Sequence, residues 1–509
     1  MVSTLLFTLL LAQAAPPAPE APKATDTKAA EAKPADKPEK EEPPVVTHHE
    51  IHAGGRTLKY TTTTGMMPLR DAKGETEAHI FFMAYTLDGV SDTSRRPLMF
   101  SFNGGPGSAS VWLHLGAVGP KRVAMLPDGQ MPAPPFHLVD NEHTWLDQTD
   151  LVFIDPVGTG YSRAVKPELS KKFWSLRGDI ESVGEFIRMY LTRYERWTSP
   201  LFLVGESYGT TRAAGLSGYL IERGIAFNGI VLVSSILNFQ TAAFAKGNDL
   251  PYVLYLPTYT ATAWYHHKLA PDLENDLPKT LKQVEAWAGT GYAEALAKGD
   301  RLTAAERQQT IERLSRYTGL EKRFIDNSNL RVAIFPFTKE LLRDQKRTVG
   351  RIDSRFKGID ESAATAAPEF DPSIAAIRPP YTTTFNNYVR GELGYKTDLE
   401  YYILGEGITS PWEWGLANRE GFPDTSDDLR QAFARNPYMK LFVASGHFDL
   451  ATPYFATEYT LAHMGLDPSQ RQNIQTGEYE AGHMVYIDTK QLEKLKRDVA
   501  GFIESALSK

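Results

Sequence analysis

The sequence contains no cysteine among its 509 residues. Without thiols the chain cannot form a disulfide framework, use a thiolate nucleophile or bind zinc or an iron–sulfur cluster through cysteine ligands. A lipid-modified cysteine is excluded for the same reason. Any nucleophile must therefore come from another type of side chain.

A large excess of one charge is also absent, since 55 Lys+Arg against 62 Asp+Glu give a formal net charge of −7. This balance demands no basic surface, so nucleic acid and other polyanionic partners are disfavoured. The hydrophobic and charged fractions, 42% and 23%, are close to those of ordinary globular proteins. The composition predicts a folded, soluble protein, and nothing in it indicates an oligomeric state.

The N-terminal region contains no apolar run long enough to span a membrane, because residues 5–11 fall well short of the roughly 20 residues required. The run precedes Ala12-Gln13-Ala14, a small-x-small pattern typical of a signal-peptidase site. Residues 1–14 are predicted to be a signal peptide, although no Lys or Arg precedes the run, and the protein to be secreted or periplasmic. Residues 15–44, rich in Ala, Pro, Lys and Glu and without aromatics, are predicted to form a disordered linker.

Short apolar runs followed by glycine-rich or polar turns predict parallel strands, and helical patterns separate several of them. The predicted strands are 97–102, 150–154, 201–204, 229–233, 440–444 and about 472–479. This alternation predicts an α/β fold with a mostly parallel central sheet and helices on both faces. We expect residues 45–237 and 437–509 to form the core, with 238–436 inserted as a mainly helical segment.

The sharpest local motif is Gly205-Glu206-Ser207-Tyr208-Gly209, directly after a predicted strand and directly before a predicted helix. A tight strand-to-helix turn strains the backbone at the serine and lifts its hydroxyl above the sheet, and the flanking glycines leave room for the turn. The context predicts that Ser207 is a nucleophile.

A serine nucleophile needs a histidine base that is oriented by a carboxylate. In α/β folds that place the serine at such a strand-to-helix turn, the chain order is Ser, acid, His. Asp449 follows a predicted strand and a glycine turn, which makes it the best acid. Of the two histidines after Asp449, His463 lies within a predicted helix, so His483 is the predicted base. His447 precedes the acid and is interpreted as a loop histidine.

The glycine-rich run 103–110 follows the first of the predicted parallel strands, where this fold places its oxyanion loop. We assign the backbone amides of Gly105 and Tyr208 to the oxyanion hole. A phosphate-binding loop is disfavoured, because the run lacks both a Gly-Lys-Ser/Thr ending and a G-x-G-x-x-G pattern.

A group of three histidines, His48, His49 and His52, is the densest histidine cluster in the chain. No helical ligand spacing accompanies it, so an exposed strand or strand edge is the favoured interpretation over a metal site. We predict no metal and no cofactor.

Four blocks of the sequence resemble the serine carboxypeptidase family in content and order: NGGPGSAS at 103–110, DPVGTGYS at 155–162, GESYG at 205–209 and GHMV at 482–485. The resemblance runs from about residue 45 to residue 509 and is looser through the inserted segment. Within the family, the sequence resembles the bacterial members more. The resemblance implies an α/β-hydrolase fold in which 238–436 is a cap domain, and an exopeptidase that removes C-terminal residues from peptides with a free C-terminus through an acyl-enzyme.

The resemblance also implies that Asn103, the Gly104 amide and Glu206 bind the terminal carboxylate of the substrate. Two carboxylates in contact repel each other, so Glu206 would be protonated when the substrate carboxylate binds. Peptidase activity would therefore favour acidic pH. A purely structural Glu206 at the elbow remains the alternative. The sequence departs from the family pattern at Ser101, where many members have Trp, and at Ala117, where a second glutamate is usual.

Two other classes of function remain open. An esterase or acyltransferase could use the same triad, since acyl-enzyme chemistry does not depend on which nucleophile or leaving group takes part. A binding protein on an inactive hydrolase scaffold is disfavoured, because triad and oxyanion loop are both complete.

Overall fold

A computed structural model describes residues 41–408, 412–415 and 421–508. The predicted signal peptide lies outside these residues, as does the predicted linker up to residue 40. The residues from Glu41 onward form one unit. Within the described chain, no helix combines the length and the apolar character needed to cross a membrane.

The strands build one large sheet in the order β1-β2-β3-β7-β4-β9-β10-β13-β14, with β8 on β3 and two small hairpins elsewhere. The segment from β7 to β14 is parallel throughout, while β1, β2 and β3 join it antiparallel. The strands are β1 (Val45–Ala53), β2 (Arg56–Arg70), β3 (Thr76–Leu87), β4 (Leu98–Phe102), β5 (Lys121–Val123), β6 (Leu138–Asp140), β7 (Asp150–Ile154), β8 (Arg163–Ala164), β9 (Leu201–Ser207), β10 (Gly229–Ser235), β11 (Arg347–Val349), β12 (Lys357–Ile359), β13 (Lys440–Gly446) and β14 (Ile474–Tyr479).

Helices cover both faces of the parallel segment, since its strands are buried on both sides. The helices are α1 (Val111–Leu113), α2 (Ser170–Phe173), α3 (Leu176–Arg193), α4 (Tyr208–Ile221), α5 (Leu250–Tyr265), α6 (Leu277–Trp287), α7 (Ala293–Lys298), α8 (Ala304–Thr318), α9 (Lys322–Asn327), α10 (Ile334–Glu340), α11 (Pro372–Gly391), α12 (Ser426–Arg435), α13 (Tyr454–His463), α14 (Pro468–Arg471) and α15 (Thr489–Leu507).

The two faces of the sheet have separate apolar cores. Val231 of β10 packs in the same core as Val499 of α15, on one face. Leu203 of β9 packs with Ile187 of α3 and Leu216 of α4 on the other. The predicted α/β architecture with a mostly parallel sheet covered on both faces is confirmed.

The sheet topology decides where the site lies. The strands β4, β9, β10, β13 and β14 are adjacent and parallel, so their carboxyl ends meet at one edge of the sheet. In open α/β sheets this edge is where loops bring side chains together for binding and catalysis. The three histidines near the start of the chain lie elsewhere, on the outermost strand β1.

Candidate active site

Ser207 lies at the sharp turn between β9 and α4, with backbone angles φ 61° and ψ −132°. Such positive φ is strained for a residue with a side chain and is characteristic of functional turns. The neighbouring glycines are required by space: a Cβ atom on Gly205 would lie 2.2 Å from the carbonyl oxygen of Gly209. The elbow predicted from the sequence is therefore close-packed and aims the serine at the sheet edge.

His483 and Asp449 are hydrogen-bonded at this edge, with 2.8 Å between His483 Nδ1 and Asp449 Oδ2. The His483 backbone is fixed on both sides of the ring. Its amide donates to the Ile352 carbonyl at 2.7 Å, and its carbonyl accepts from the Ser234 hydroxyl at 2.6 Å. The imidazole consequently has one supported orientation, with Nδ1 towards the carboxylate and Nε2 left to take a proton.

Burial and charge act in opposite directions on the imidazole. Burial alone lowers the pKa of His483, but the Asp449 carboxylate and its hydrogen bond, helped by Glu206, raise it above the ordinary value of 6.5. The net effect favours the imidazolium that forms when a histidine accepts a proton from a serine.

A cavity of about 220 Å³ brings the predicted groups together. Six of the eight predicted site residues line it: Asn103, Gly104, Gly105, Glu206, Ser207 and His483. Asp449 is fully buried behind His483. Among the described residues the His483 ring bonds to Asp449 and Thr452, and Ser207 faces the same cavity without a hydrogen bond to the ring. Serine–imidazole hydrogen bonds often tighten only once substrate is bound.

The glycine-rich loop after β4, predicted to supply an oxyanion amide, is held against the start of α4. A Cβ atom on Gly104 would lie 2.4 Å from the Tyr208 amide nitrogen, so only glycine permits this contact. Arg212 donates to the Asn103 carbonyl at 2.7 Å and pairs with Asp179 at 2.8 Å. The loop that carries Gly105 is thereby fixed to the helix whose first amide belongs to Tyr208.

Glu206 lies in the wall of the cavity, 3% exposed. Its Oε2 accepts a hydrogen bond of 2.5 Å from the Tyr486 hydroxyl. Burial raises the pKa of Glu206 to about 7, although the His483 cation and the Tyr486 hydrogen bond favour the ionised form. The carboxyl can therefore carry a proton near neutral pH, in the wall beside Ser207.

The sequence profile described as serine carboxypeptidase matches residues 55–505, most of the chain. This chain belongs to the serine carboxypeptidase family. The profile begins in the antiparallel strands and ends in α15, so family membership covers the whole parallel sheet and the site at its edge.

Named relatives agree over shorter segments. "Serine carboxypeptidase-like 13" of Arabidopsis thaliana is 25% identical over 173 residues, 32% of this chain and 38% of the relative. "Pheromone-processing carboxypeptidase KEX1" of Saccharomyces cerevisiae is 34% identical over 158 residues, 28% of this chain and 20% of the relative. The matched segments thus span well under two thirds of either relative.

A solved structure agrees in fold over nearly the whole chain. The crystal structure of a prohormone-processing carboxypeptidase from Saccharomyces cerevisiae superposes with a TM-score of 0.51 at 18% identity. The match covers 87% of this chain and 91% of that structure. The predicted α/β-hydrolase fold is therefore the fold of the serine carboxypeptidases.

Two further residues could be mistaken for triad members, a histidine just before Asp449 and the aspartate that begins the block 155–162. His447 Nε2 lies 2.9 Å from Glu478 Oε2. Asp155 accepts from the Ser110 amide at 2.8 Å, at the start of α1. Neither lines the cavity that contains Ser207, so both have structural surroundings in this member of the family.

Sequence reasoning missed three residues of the site. Thr452 bonds to Asp449, Tyr486 bonds to Glu206, and Arg351 lines the cavity. Thr452 had a local signal, because an Asp followed within three residues by a Thr often forms a side-chain turn. The other two come from distant parts of the chain, with no local pattern to mark them.

Proposed function

We propose that this protein is a serine carboxypeptidase that releases C-terminal residues from peptides with a free C-terminus. The observation that supports it is one cavity that combines the Ser207 elbow and His483 with Glu206, a buried carboxyl able to hold a proton near neutral pH. A nucleophile and base alone suit any acyl transfer, but a neutral carboxylic acid beside them suits the binding of a carboxylate.

In the proposed reaction, Ser207 Oγ attacks the carbonyl carbon of the last peptide bond while His483 Nε2 accepts its proton. The amides of Gly105 and Tyr208 stabilise the oxyanion. His483 then gives the proton to the amine nitrogen as the C–N bond breaks. The free C-terminal amino acid leaves, and the rest of the peptide remains as an acyl-enzyme on Ser207. Water, deprotonated by His483, hydrolyses the ester, and Asp449 supports the imidazolium in both halves.

The terminal carboxylate is proposed to lie against Asn103, the Gly104 amide and protonated Glu206. These groups line the same cavity as Ser207, which is large enough for about one side chain. A carboxylate held there fixes which peptide bond reaches the nucleophile, because only the final bond lies one residue from it. Exopeptidase specificity follows from that distance.

The organisation of the chain is part of the proposal. We propose that 238–436, which holds α5 to α12, is the cap over a core made of 45–237 and 437–509. Residues 1–14 and 15–44 are proposed as an export signal and a linker, which makes the protein secreted or periplasmic. The greater likeness to bacterial members stays a prediction, since the relatives named above are a plant and a yeast protein.

Three substrates test the activity: an N-blocked dipeptide, its C-terminal amide and a short-chain nitrophenyl ester, each incubated with the purified protein from acidic to mildly alkaline pH. We expect release of free amino acid from the unamidated dipeptide alone, with a Ser207→Ala variant as the control. Ester turnover with both dipeptides intact would reject the carboxypeptidase and favour the esterase or acyltransferase.

A further inference from the structure

The Glu206 carboxyl accepts a side-chain hydrogen bond from the Tyr486 hydroxyl at 2.5 Å. Tyr486 is 2% exposed and lies three residues after His483, on the same loop as the base. Glu206 directly precedes Ser207. Glu206 is therefore close in sequence to the proposed nucleophile, and Tyr486 is close in sequence to the proposed base.

The space around this pair is adapted to a tyrosine. A Cβ atom on Gly116 would lie 2.3 Å from the Tyr486 ring and 2.7 Å from the Tyr381 hydroxyl. The next residue, Ala117, stands where the family resemblance places a second glutamate, and its side chain has no carboxyl. The chain at this point therefore lacks the second acid and leaves room for the tyrosine ring.

Several charged and polar groups surround the Glu206 carboxyl. His483 and Asn103 favour its ionised form, as Tyr486 does, and Asp449 opposes it. Tyr381 of α11 faces the same group. Burial outweighs the favourable contacts, since the net pKa is about 7. Among these neighbours Tyr486 donates a hydrogen bond to a defined oxygen, Oε2, and Asn103 is the other side chain that hydrogen-bonds to this carboxyl.

We propose that Tyr486 is a positioning residue that replaces the family's second glutamate: it occupies Glu206 Oε2, so that the carboxyl proton sits on Oε1 and is donated to the substrate carboxylate. The inference rests on the proposed carboxypeptidase activity. A phenol is suited to this role because it donates a hydrogen bond to the carboxyl and does not compete for the proton near neutral pH. One carboxyl and one phenol then do the work of two carboxyls.

The experiment compares Tyr486→Phe with Tyr381→Phe, which removes a buried hydroxyl that has no hydrogen bond to Glu206. KM and kcat are measured for an N-blocked dipeptide and for a nitrophenyl ester across pH. For Tyr486→Phe we expect KM for the dipeptide at acidic pH to rise about five- to tenfold, the effect of one lost hydrogen bond. In the pH profile for the dipeptide, the alkaline decline should move to higher pH. The lost hydrogen bond favours ionised Glu206, so its removal raises the pKa of Glu206 further.

Ester turnover should stay within about twofold in both variants, since the ester has no carboxylate to bind. An unchanged KM and pH limb in Tyr486→Phe would overturn the inference, as would an equal loss of dipeptide and ester turnover. A Glu206→Gln background gives a second measure, in which adding Tyr486→Phe should change the dipeptide KM no further. Failure of the unaltered enzyme to release amino acids instead contradicts the proposed function.

An independent observation concerns Arg351, which lines the same cavity and is half-buried. Its guanidinium has no ion pair or hydrogen bond with a described residue; nearby Asp371 accepts from the backbone amides of Arg351 and Ile352 instead. The neighbouring Arg355, by contrast, pairs with both Asp353 and Asp488. A half-buried guanidinium without a counter-ion is suited to pair with a carboxylate of a bound ligand.

We infer that Arg351 gives this carboxypeptidase a preference for an acidic side chain on one of the two residues that flank the scissile bond. The α-carboxylate is assigned to Asn103, Gly104 and Glu206, so a second anionic group remains for Arg351. The wall of the cavity also includes apolar residues, Ile374 and Ile377 among them. A Glu side chain, with an apolar stem and an anionic end, matches both features.

The test uses N-blocked dipeptides with Glu or Gln at either position. At one position we expect kcat/KM to favour Glu over Gln about fivefold, the size of a partly exposed ion pair. Arg351→Gln should abolish that preference and Arg351→Lys should keep most of it. A ratio that does not change in Arg351→Gln overturns the inference. So does an equal loss for every free dipeptide, which would place Arg351 on the α-carboxylate.

Discussion

Thr452 donates its hydroxyl hydrogen to Asp449 Oδ2 at 2.6 Å, and the same oxygen accepts from His483 Nδ1 at 2.8 Å. The other oxygen, Oδ1, accepts from the amides of Ala451 and Thr452 at 2.8 and 3.0 Å. Four donors thus fix a carboxylate that is fully buried. A carboxylate that cannot rotate holds the imidazole in one tautomer and one plane.

Replacement of Thr452 by Val removes one donor and keeps the shape of the side chain. We expect kcat/KM to fall about tenfold for both dipeptide and ester substrates, because the hydrogen bond reaches a charged group that orients the base. Thr452→Ser keeps the hydroxyl and should retain most of the activity. Equal activity in all three proteins would show that the backbone amides suffice to orient Asp449.

The strained backbone at Ser207 predicts an unusual order of stabilities. With φ at 61°, Ser207→Gly relieves strain that Ser207→Ala retains. Both variants lack the proposed nucleophile, so both should be inactive. We expect Ser207→Gly to be more stable than Ser207→Ala by about 1 kcal/mol in the free energy of unfolding, measured by denaturant unfolding. A less stable glycine variant would contradict the strain at the elbow.

Glu206 predicts a different pH dependence for peptide and ester substrates. Its pKa is raised to about 7 by burial, so the proton needed for carboxylate binding is lost as the pH rises through about 7. Dipeptide kcat/KM should fall above that pH, while ester kcat/KM should follow His483 alone and stay high. Glu206→Gln should remove the alkaline limb from the dipeptide profile. Coincident alkaline limbs for the two substrates would exclude this role.

The raised pKa of Glu206 also makes the stability of the fold depend on pH. A raised pKa in the folded state means that folding is favoured by the bound proton, and this stabilisation is lost as the pH rises from about 4.5 through about 7. Glu206→Gln cannot lose a proton. We therefore expect the melting temperature of Glu206→Gln, relative to the unaltered protein, to be higher at alkaline than at acidic pH. A difference that is independent of pH would argue against a buried, protonated Glu206.

The buried pair of Arg212 and Asp179 supports the loop that contains Asn103 and Gly105. Arg212→Met leaves the Asp179 carboxylate buried without its cation and breaks the contact to the Asn103 carbonyl. We expect a loss of about 3–5 kcal/mol in the free energy of unfolding, measured by urea denaturation. Arg430→Met is the matched control, because Arg430 pairs with Asp427 on the surface, and its loss should stay below about 1 kcal/mol. Similar losses in both variants would show that burial does not matter here.

The parallel strands could be predicted from the sequence because each is a short apolar run with a turn after it. The helical pattern at 304–318 predicts helix α8 at its observed bounds, where a capping box at Thr303 and Glu306 begins it. The helical pattern at 258–269 predicts only part of helix α5, which runs from Leu250 to Tyr265. The prediction missed its first half because Pro251 and Pro257 are usual breaks, although Pro251 lies in the first turn, where proline is tolerated.

The order of Ser207, Asp449 and His483 along the chain predicts that they lie at one edge of the sheet, since each comes at the end of a strand of the parallel sheet or after one. The structure places Ser207 and His483 in one cavity and joins His483 to Asp449. Tyr486 and Arg351 could not be predicted in this way. The contact between Tyr486 and Glu206 spans 280 residues, and it depends on how a loop packs after the sheet has formed. Pair contacts of this kind require the packing of separate segments, which no local pattern records.

Covalent labelling of Ser207 tests the central claim most directly. The protein is treated with a serine-directed fluorophosphonate, digested and analysed by mass spectrometry, while amino-acid release from an N-blocked dipeptide is followed in parallel. The account predicts one adduct, on the peptide that contains Ser207, with release lost in proportion, and no adduct in a His483→Ala variant. Continued release from a fully labelled enzyme, or an adduct on another residue that alone abolishes release, would contradict it.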